Sequence, residues 1–233
     1  MARTDPRKDV VIVGLGWTGS ILGIELAQEG LEILALERGP ERRTVPDFEY
    51  PEVIDELTYG IRFGFMQKPR NSTITLRRTL DETAQPMRRL GSFLPGDGVG
   101  GAGIHWNGQT WRPMENEYRL RSYVEEEFGA DAMPEDMTLQ DWGVTAEELE
   151  PYYDRFEYMA GISGQAGNIN GEVIEGGNPF EAPRSRDYPL PPLKQTVDAR
   201  MFEEAARGMG YHPFPRPAAN ASMAWTNEYG MQL

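Results

Sequence analysis

The chain has 233 residues, 39% of them hydrophobic, and a formal net charge of −14. That is enough apolar content for a sizeable core, and the acidic balance argues against nucleic acid or an anionic membrane surface as partners. Cysteine is absent, which excludes disulfides, thiolate catalysis and cysteine metal sites within this sequence. No apolar run reaches the ~18 residues of a membrane span. Arg3, Asp5, Arg7, Lys8 and Asp9 lead straight into the first apolar stretch, with no signal-like apolar region before it, so membrane association is expected only through a partner.

The first element carries the most information. Val10-Val11-Ile12-Val13 reads as a β-strand buried on both faces. It runs into Gly14-Leu15-Gly16-Trp17-Thr18-Gly19, the glycine spacing of a dinucleotide-binding turn. Gly14 permits the tight turn, Gly16 leaves room for the backbone to approach a diphosphate, and Gly19 lets the following helix lie close to the sheet. That helix is predicted from about Trp17 to Gln28, with Ile21, Leu22, Leu26 and Ala27 on its apolar face and Gly30 as its stop. Its amino end offers unpaired N–H groups to phosphate. Leu31 to Leu36 reads as the next parallel strand, and Glu37 at its end can accept hydrogen bonds from ribose hydroxyls while repelling a 2′-phosphate. The pattern does not by itself separate FAD from NAD. A buried βαβ unit whose glycines merely make turns is the bland alternative.

Residues 38–70, with Tyr59-Gly60-Ile61-Arg62-Phe63-Gly64-Phe65, mix short helical and looped signals, and Ser72 to Thr79 has the β-branched content of a strand. Glu115 to Phe128 has a helical period ending at Gly129, and its acidic run Glu125-Glu126-Glu127 is expected on a solvated helix face. Thr145-Ala146-Glu147-Glu148 is a capping box opening a helix whose aromatics, Tyr152, Tyr153, Phe156 and Tyr158, are expected to pack a core. Gly161 to Pro192 reads as extended loop and turns. A helix near Lys194–Met209 carries Val197, Met201, Ala205 and Met209 on one face, and Tyr211 to Pro217 is held extended by its prolines. A doubly wound sheet needs more parallel strands than this sequence offers, so the sheet reads as incomplete.

The second glycine-dense stretch, Gly91 to Gly108, centres on Gly98-Val99-Gly100-Gly101-Ala102-Gly103-Ile104-His105-Trp106-Asn107. Each glycine costs roughly 0.5–1 kcal/mol relative to alanine on ordering, so this density points to close approach of a ligand. His105, Trp106 and Asn107 add a ring nitrogen, an aromatic plane and an amide, the mixture expected beside a redox-active ring. A folded loop with His105 as a hydrogen-bonding spacer is the plain alternative. No metal site is expected, because only His212 could join His105 as a second imidazole.

On Gly14-x-Gly16-x-x-Gly19, Leu36-Glu37-Arg38-Gly39, Gly98 to Gly108 with Trp111-Arg112-Pro113, Leu149-Glu150-Pro151-Tyr152-Tyr153 and Pro215 to Asn220, the chain resembles the glucose-methanol-choline oxidoreductases, and within them the flavoprotein subunits of membrane-bound sugar and sugar-acid dehydrogenases. The family loop usually carries paired serines where this chain has Ala102 and Gly103. The resemblance implies an α/β fold: an incomplete Rossmann-like FAD-binding domain with part of an α+β substrate or cap region. Its parts would be a βαβ unit at 1–40, a peripheral segment at 41–90, a flavin-contacting loop at 91–113, and helices and loops of the FAD and substrate domains at 114–233.

It implies FAD as cofactor, held by Gly14, Gly16, Trp17, Thr18, Gly19, Glu37, Arg38, Gly100, Gly101, Gly103, His105, Trp106 and Asn107. Some family members bond a histidine to the flavin 8α-methyl, and His105 would take that part, as a covalent link or as a close contact. The implied reaction oxidises a CH–OH group of a sugar or a sugar acid such as gluconate by hydride transfer to flavin N5, with electrons leaving through a haem partner or quinone. Implied partners are a small subunit and a cytochrome c subunit. The implied location is the periplasmic face of the inner membrane, with the cytoplasm as alternative. The catalytic base of the family lies late in a longer chain, so this sequence is expected to be an amino-terminal portion with its base beyond residue 233. The competing readings are a noncatalytic nucleotide-binding subunit or inactive truncated product, and an NAD-dependent dehydrogenase.

Overall fold

The computed structural model describes residues 5–47, 67, 74–86 and 95–233, and the chain divides into two compact units, Met1–Asn107 and Gly108–Leu233. In the first unit, β1 (Val10–Val13) pairs in parallel with β2 (Ile33–Leu36), Val10 opposite Ile33 and Val13 opposite Leu36. Between them runs α1, Trp17–Gln28, with the bounds that the glycine turn and Gly30 predict. Gly30 sits at φ +82° and its N–H donates to the Ala27 carbonyl at 3.0 Å. That left-handed conformation ends a helix at little cost only when the residue is glycine.

Helix α1 lies on Ile12 of β1, the side chain nearest to where Gly19 and Gly23 would carry a Cβ. It covers one face of the two-stranded sheet. The expected burial of β1 on both faces is therefore corrected: Val11 and Val13 are 54% and 84% exposed, whereas Val10 and Ile12 are half-buried. A pleated strand alternates faces, and among the described residues only one of those faces has a cover. The apolar face predicted for α1 is also only partly covered. Ile21 and Leu26 are half-buried, while Leu22 and Ala27 are exposed.

The strand expected at Ser72–Thr79 is reduced to Thr75–Leu76 (β3), antiparallel to Gln85–Pro86 (β4). A short kinked turn with Val45 in an extended conformation, φ −122° and ψ 128°, follows the first unit's second strand at Thr44–Asp47. The Tyr59–Phe65 stretch, Ser72, Thr73 and the residues from Gly91 to Leu94 lie outside the described residues. Within the glycine-dense stretch, Gly101–His105 forms a short 3-10 helix where only a loop was predicted.

In the second unit, the period over 115–128 resolves into a 3-10 turn, Glu115–Arg119, and α2, Leu120–Phe128, which ends at Gly129. The acidic run lies on an accessible face: Glu125 pairs with Arg121 at 2.9 Å and Glu126 with Arg119. The predicted capping box opens α3 (Ala146–Ala160). The Thr145 hydroxyl accepts the Glu148 N–H at 3.1 Å, and the Glu148 carboxylate accepts the Thr145 N–H at 2.8 Å.

The segment 161–192 is irregular, as predicted, but it is the core of this unit rather than a surface loop. Ile162, Ser163, Ala166 and Leu190 are buried together with Ala218. Ser163 is the crossing point: it exchanges backbone hydrogen bonds with Ala218 at 2.8 and 2.9 Å, and its hydroxyl donates to the Asn220 carbonyl at 2.7 Å. These bonds satisfy the polar groups that burial would otherwise orphan. The same segment holds a hairpin absent from the sequence reading, β5 (Asn168–Ile169) with β6 (Glu172–Val173), turned by Asn170 at φ 52° and Gly171 at φ 90°.

Helix α4 covers Val197–Gly208, shorter than the predicted Lys194–Met209. Val197, Met201 and Met209, grouped on one face in the sequence, are exposed, and Ala206 is the buried position.

A buried charge cluster ties this unit together. The Glu157 carboxylate, 2% exposed, receives Nε and Nη2 of Arg112, each at 2.8 Å, and Nη2 of Arg184. Glu150 lies 3.5 Å from Arg112, and the Arg184 guanidinium stacks 3.8 Å from the Tyr188 ring centroid. Burial pushes Tyr188 up to about 12 and raises Glu181. Both shifts follow from the cost of a bare charge in an apolar interior.

Candidate functional site

Three segments of the first unit meet at the amino end of α1. The first is the β1–α1 turn. Gly14 has φ 94°, and its N–H donates to the Leu36 carbonyl at 2.7 Å, carrying the strand pairing one residue past β1. A side chain at Gly19 would collide with the Gly14 carbonyl and press on Ile12, so helix and turn can close this tightly only without one. Gly16 has open space where a Cβ would stand. It is also the N-cap residue and brings no side-chain cap, and no acidic residue stands in the first turn. The helix start thus keeps its positive partial charge and N–H donors for an acceptor from elsewhere.

The second segment is the end of β2. Glu37 spans it: Oε2 accepts the Leu15 N–H and Oε1 accepts the Gly39 N–H, both at 2.7 Å. The Gly39 bond, then the Leu15 bond, holds this carboxyl below its usual range against a smaller opposing effect of burial. Glu37 is therefore a staple for the glycine turn as well as an acid at the strand's end. Each carboxylate oxygen still has a second lone pair to offer.

The third segment is the second glycine stretch, which packs onto the other two through its own backbone. Gly100 N–H donates to the Leu15 carbonyl at 2.6 Å, and Val99 N–H to the Pro40 carbonyl at 3.1 Å. A Cβ at Gly101 would lie 3.1 Å from Gly16 Cα, one at Gly39 would collide with Gly98, and one at Gly103 would collide with the Trp17 indole. Gly100 and Gly101 have φ 95° and 57°. The glycine density is thus spent in part on backbone against backbone, a contact that leaves no side-chain pattern to read.

Trp17 and Trp106 meet edge to face at 4.7 Å between centroids. His105 ends the 3-10 helix, and its Nε2 is buried with no hydrogen-bond partner among the described residues.

Of the residues expected at the site, Gly14, Gly16, Trp17, Gly19, Glu37, Gly100, Gly101, Gly103, His105 and Trp106 are brought into this one cradle. The side chains of Thr18, Arg38 and Asn107 are exposed at its margin. Sequence reading missed Arg42, whose Nε and Nη2 both donate to the Asp97 carbonyl at 3.2 Å and so pin the third segment to the second. An arginine shortly after the acid-ended strand was its only signal. Leu15 was also missed, because its contribution is entirely backbone.

No protein-family model matches the chain. It is 48% identical over 228 residues to the gluconate 2-dehydrogenase flavoprotein of Pantoea cypripedii, an alignment covering 97% of this chain and 37% of that protein. It is 28% identical over 228 residues to the fructose dehydrogenase large subunit of Gluconobacter japonicus, covering 92% and 37%. With 2-methyl-1,2-propanediol dehydrogenase of Mycolicibacterium austroafricanum the identity is 27% over 215 residues, covering 92% and 34%. The chain spans little more than a third of the length of these curated relatives. Among the described residues no helix is long and apolar enough to cross a membrane.

Proposed function

From the membership of this chain in the glucose-methanol-choline oxidoreductases, we propose that it forms the cofactor-holding part of an FAD-dependent dehydrogenase that oxidises a CH–OH group of a sugar acid of the gluconate kind. The observation that carries the reading is the cradle at the amino end of α1. There an uncapped helix start, open space at Gly16 and the stapled carboxylate of Glu37 lie beside the His105 turn. These features fit an adenine dinucleotide. Backbone N–H groups of the Gly14–Gly19 turn would hold the diphosphate, and the free lone pairs of Glu37 would take the ribose hydroxyls.

When bound, the flavin would supply an acceptor for the substrate's carbinol hydrogen. The residues of this chain bind and orient it and keep water away. The Gly100–Asn107 segment would lie along the isoalloxazine side, with Trp106 giving an apolar wall. His105, whose sheltered Nε2 lacks a partner among the described residues, would contact the ring or be bonded to it. The family's general base would stand outside residues 1–233.

The substrate assignment follows the 48% identity to a gluconate dehydrogenase flavoprotein. Electron exit through a haem-bearing partner, a small partner subunit and residence at the outer face of a bacterial inner membrane complete the proposal. It is tested by purifying the protein in its natural length and recording its visible spectrum before and after adding gluconate without oxygen. Flavin bands that bleach with gluconate and not with fructose, sorbitol or glucose support the reading. A colourless protein overturns the cofactor, and bleaching by another of these sugars alone overturns the substrate.

A further inference from the structure

Trp17 occupies a place in the first glycine turn where no bulky side chain is needed for a dinucleotide, and the second glycine stretch is shaped around it. The three atoms nearest to where Gly103 would carry a Cβ all belong to the Trp17 indole, and a Cβ there would overlap Nε1. Gly103 is not among the residues with positive φ, so its backbone would accept alanine. The first obstacle to a side chain at 103 is therefore the indole. The same indole meets the Trp106 ring edge to face at 4.7 Å, with the planes at 86°.

Gly103 and Trp106 bracket His105. The Trp106 N–H closes the 3-10 helix onto the Gly103 carbonyl at 3.3 Å, and the Gly103 N–H bonds the Gly100 carbonyl at 3.1 Å. Gly100 in turn hangs from Leu15 in the first turn.

We propose that Trp17 is a positioning residue for His105: interlocked with Gly103 and Trp106, its indole forms a brace that fixes the 3-10 turn, and with it the direction of the His105 ring, before any cofactor arrives. A rigid ring partner with few rotatable bonds suits this task, and an edge-to-face aromatic pair adds attraction beyond the area it buries. The inference deepens the flavin reading above and rests on it for the consequence in binding. The brace itself is a property of the chain alone.

The two can be tested apart. Residues 1–233 hold two histidines, His105 and His212, and in the imidazole proton spectrum of the protein at its natural length these serve as reporter and internal control, His212 assigned by its own glutamine variant. His105→Gln identifies the reporter. Trp17→Ala, Gly103→Ala and the double variant are then compared by that spectrum, by the far-ultraviolet exciton couplet of a close tryptophan pair, and by the dissociation constant for FAD.

The brace predicts that Trp17→Ala and Gly103→Ala each abolish the couplet or shrink it severalfold, shift the His105 resonance and leave His212 in place. It also predicts that Gly103→Ala weakens FAD about tenfold or more in the Trp17 background, and less than about twofold when residue 17 is already alanine. An unmoved His105 resonance in Gly103→Ala, or equal losses in both backgrounds, overturns the proposal. If wild type binds no FAD while the His105 and couplet changes appear as stated, the brace stands and the flavin reading falls.

Discussion

Replacing Glu157 by glutamine should be among the most damaging single-atom changes in the second unit. The carboxylate is 2% exposed and takes three donors, two from Arg112 at 2.8 Å and one from Arg184, whose own side chain is 0% exposed. The amide keeps the volume and one oxygen but loses the charge and turns an N–H₂ group toward a guanidinium. The remaining acids are poorly placed to compensate: Glu150 stands 3.5 Å from Arg112 and is also engaged by Ser185, and Glu181 stands 4.0 Å from Arg184. Breaking one partner out of a buried pair costs about 3–5 kcal/mol, because the surviving charge stays buried. For a unit spanning 108–233 each kcal/mol lowers Tm by roughly 4 °C, so a fall of about 12–20 °C is expected. Thermal and urea unfolding followed by tryptophan fluorescence would read it, since one contributor, the Trp225 indole, donates to the Tyr158 carbonyl of α3 at 3.0 Å. Replacing Glu157, Arg112 and Arg184 together by leucine and methionines should cost less than the single change, because the acids left behind keep other donors, the Gly167 and Asn168 N–H groups for Glu181 and Ser185 for Glu150. A Glu157→Gln protein within about 1 kcal/mol of wild type would refute the assignment of this cluster as a tightly coupled unit.

Four further outcomes follow from the first unit. Glu37→Gln should weaken FAD by about 10–100-fold, the equivalent of one charge-assisted hydrogen bond, and unchanged affinity by titration calorimetry would remove Glu37 from the site. Because the folded-state pKa of Glu37 is held below its usual 4.5, its contribution to stability is complete above that value and is lost as pH falls through the lowered one. An acid-unfolding comparison should therefore show wild type and Glu37→Gln converging at low pH, and a gap that widens on acidification would reverse the sign. Gly19→Ala should disrupt the first turn by pressing on the Gly14 carbonyl, costing about 1–3 kcal/mol and most of the FAD affinity; normal retention of FAD would mean that the turn tolerates opening. If His105 is bonded to the flavin, colour should survive acid precipitation in wild type and wash out in His105→Ala, whereas wild-type flavin that extracts fully leaves His105 as a contact only.

How much of this was legible differs by element. The βαβ unit could be read because its signals are local: the glycine spacing, the β-branched run and Gly30 set α1 to within a residue. Burial could not, since whether Val11 and Val13 are covered depends on strands and helices beyond the local pattern. The Asn170-Gly171 turn carried the strongest short hairpin signal available, yet the surrounding glycine and asparagine content masked it as generic loop. The apolar stripe of α4 could be grouped, but its exposure could not be read, because periodicity shows that residues share a face and not what that face meets. The cradle itself was half visible. Its glycines were recognised as meeting something, but contacts such as Gly39 with Gly98 or Gly101 with Gly16 join backbones across some 60 to 85 positions with no side chain to mark them. The Arg112–Glu157–Arg184 cluster was invisible for a related reason: its members lie 45 and 27 residues apart, and each looks alone like an ordinary surface charge.

The most direct test of the central claim is equilibrium binding of FAD, against NAD as competitor, to the protein and to its Gly16→Val variant. A valine at 16 fills the open space at the start of α1 without touching the Glu37 staple. The account predicts saturable FAD binding that excess NAD does not displace and that Gly16→Val abolishes while the fold, judged by circular dichroism, persists. FAD binding that survives Gly16→Val unchanged, or NAD binding in preference to FAD, would contradict it.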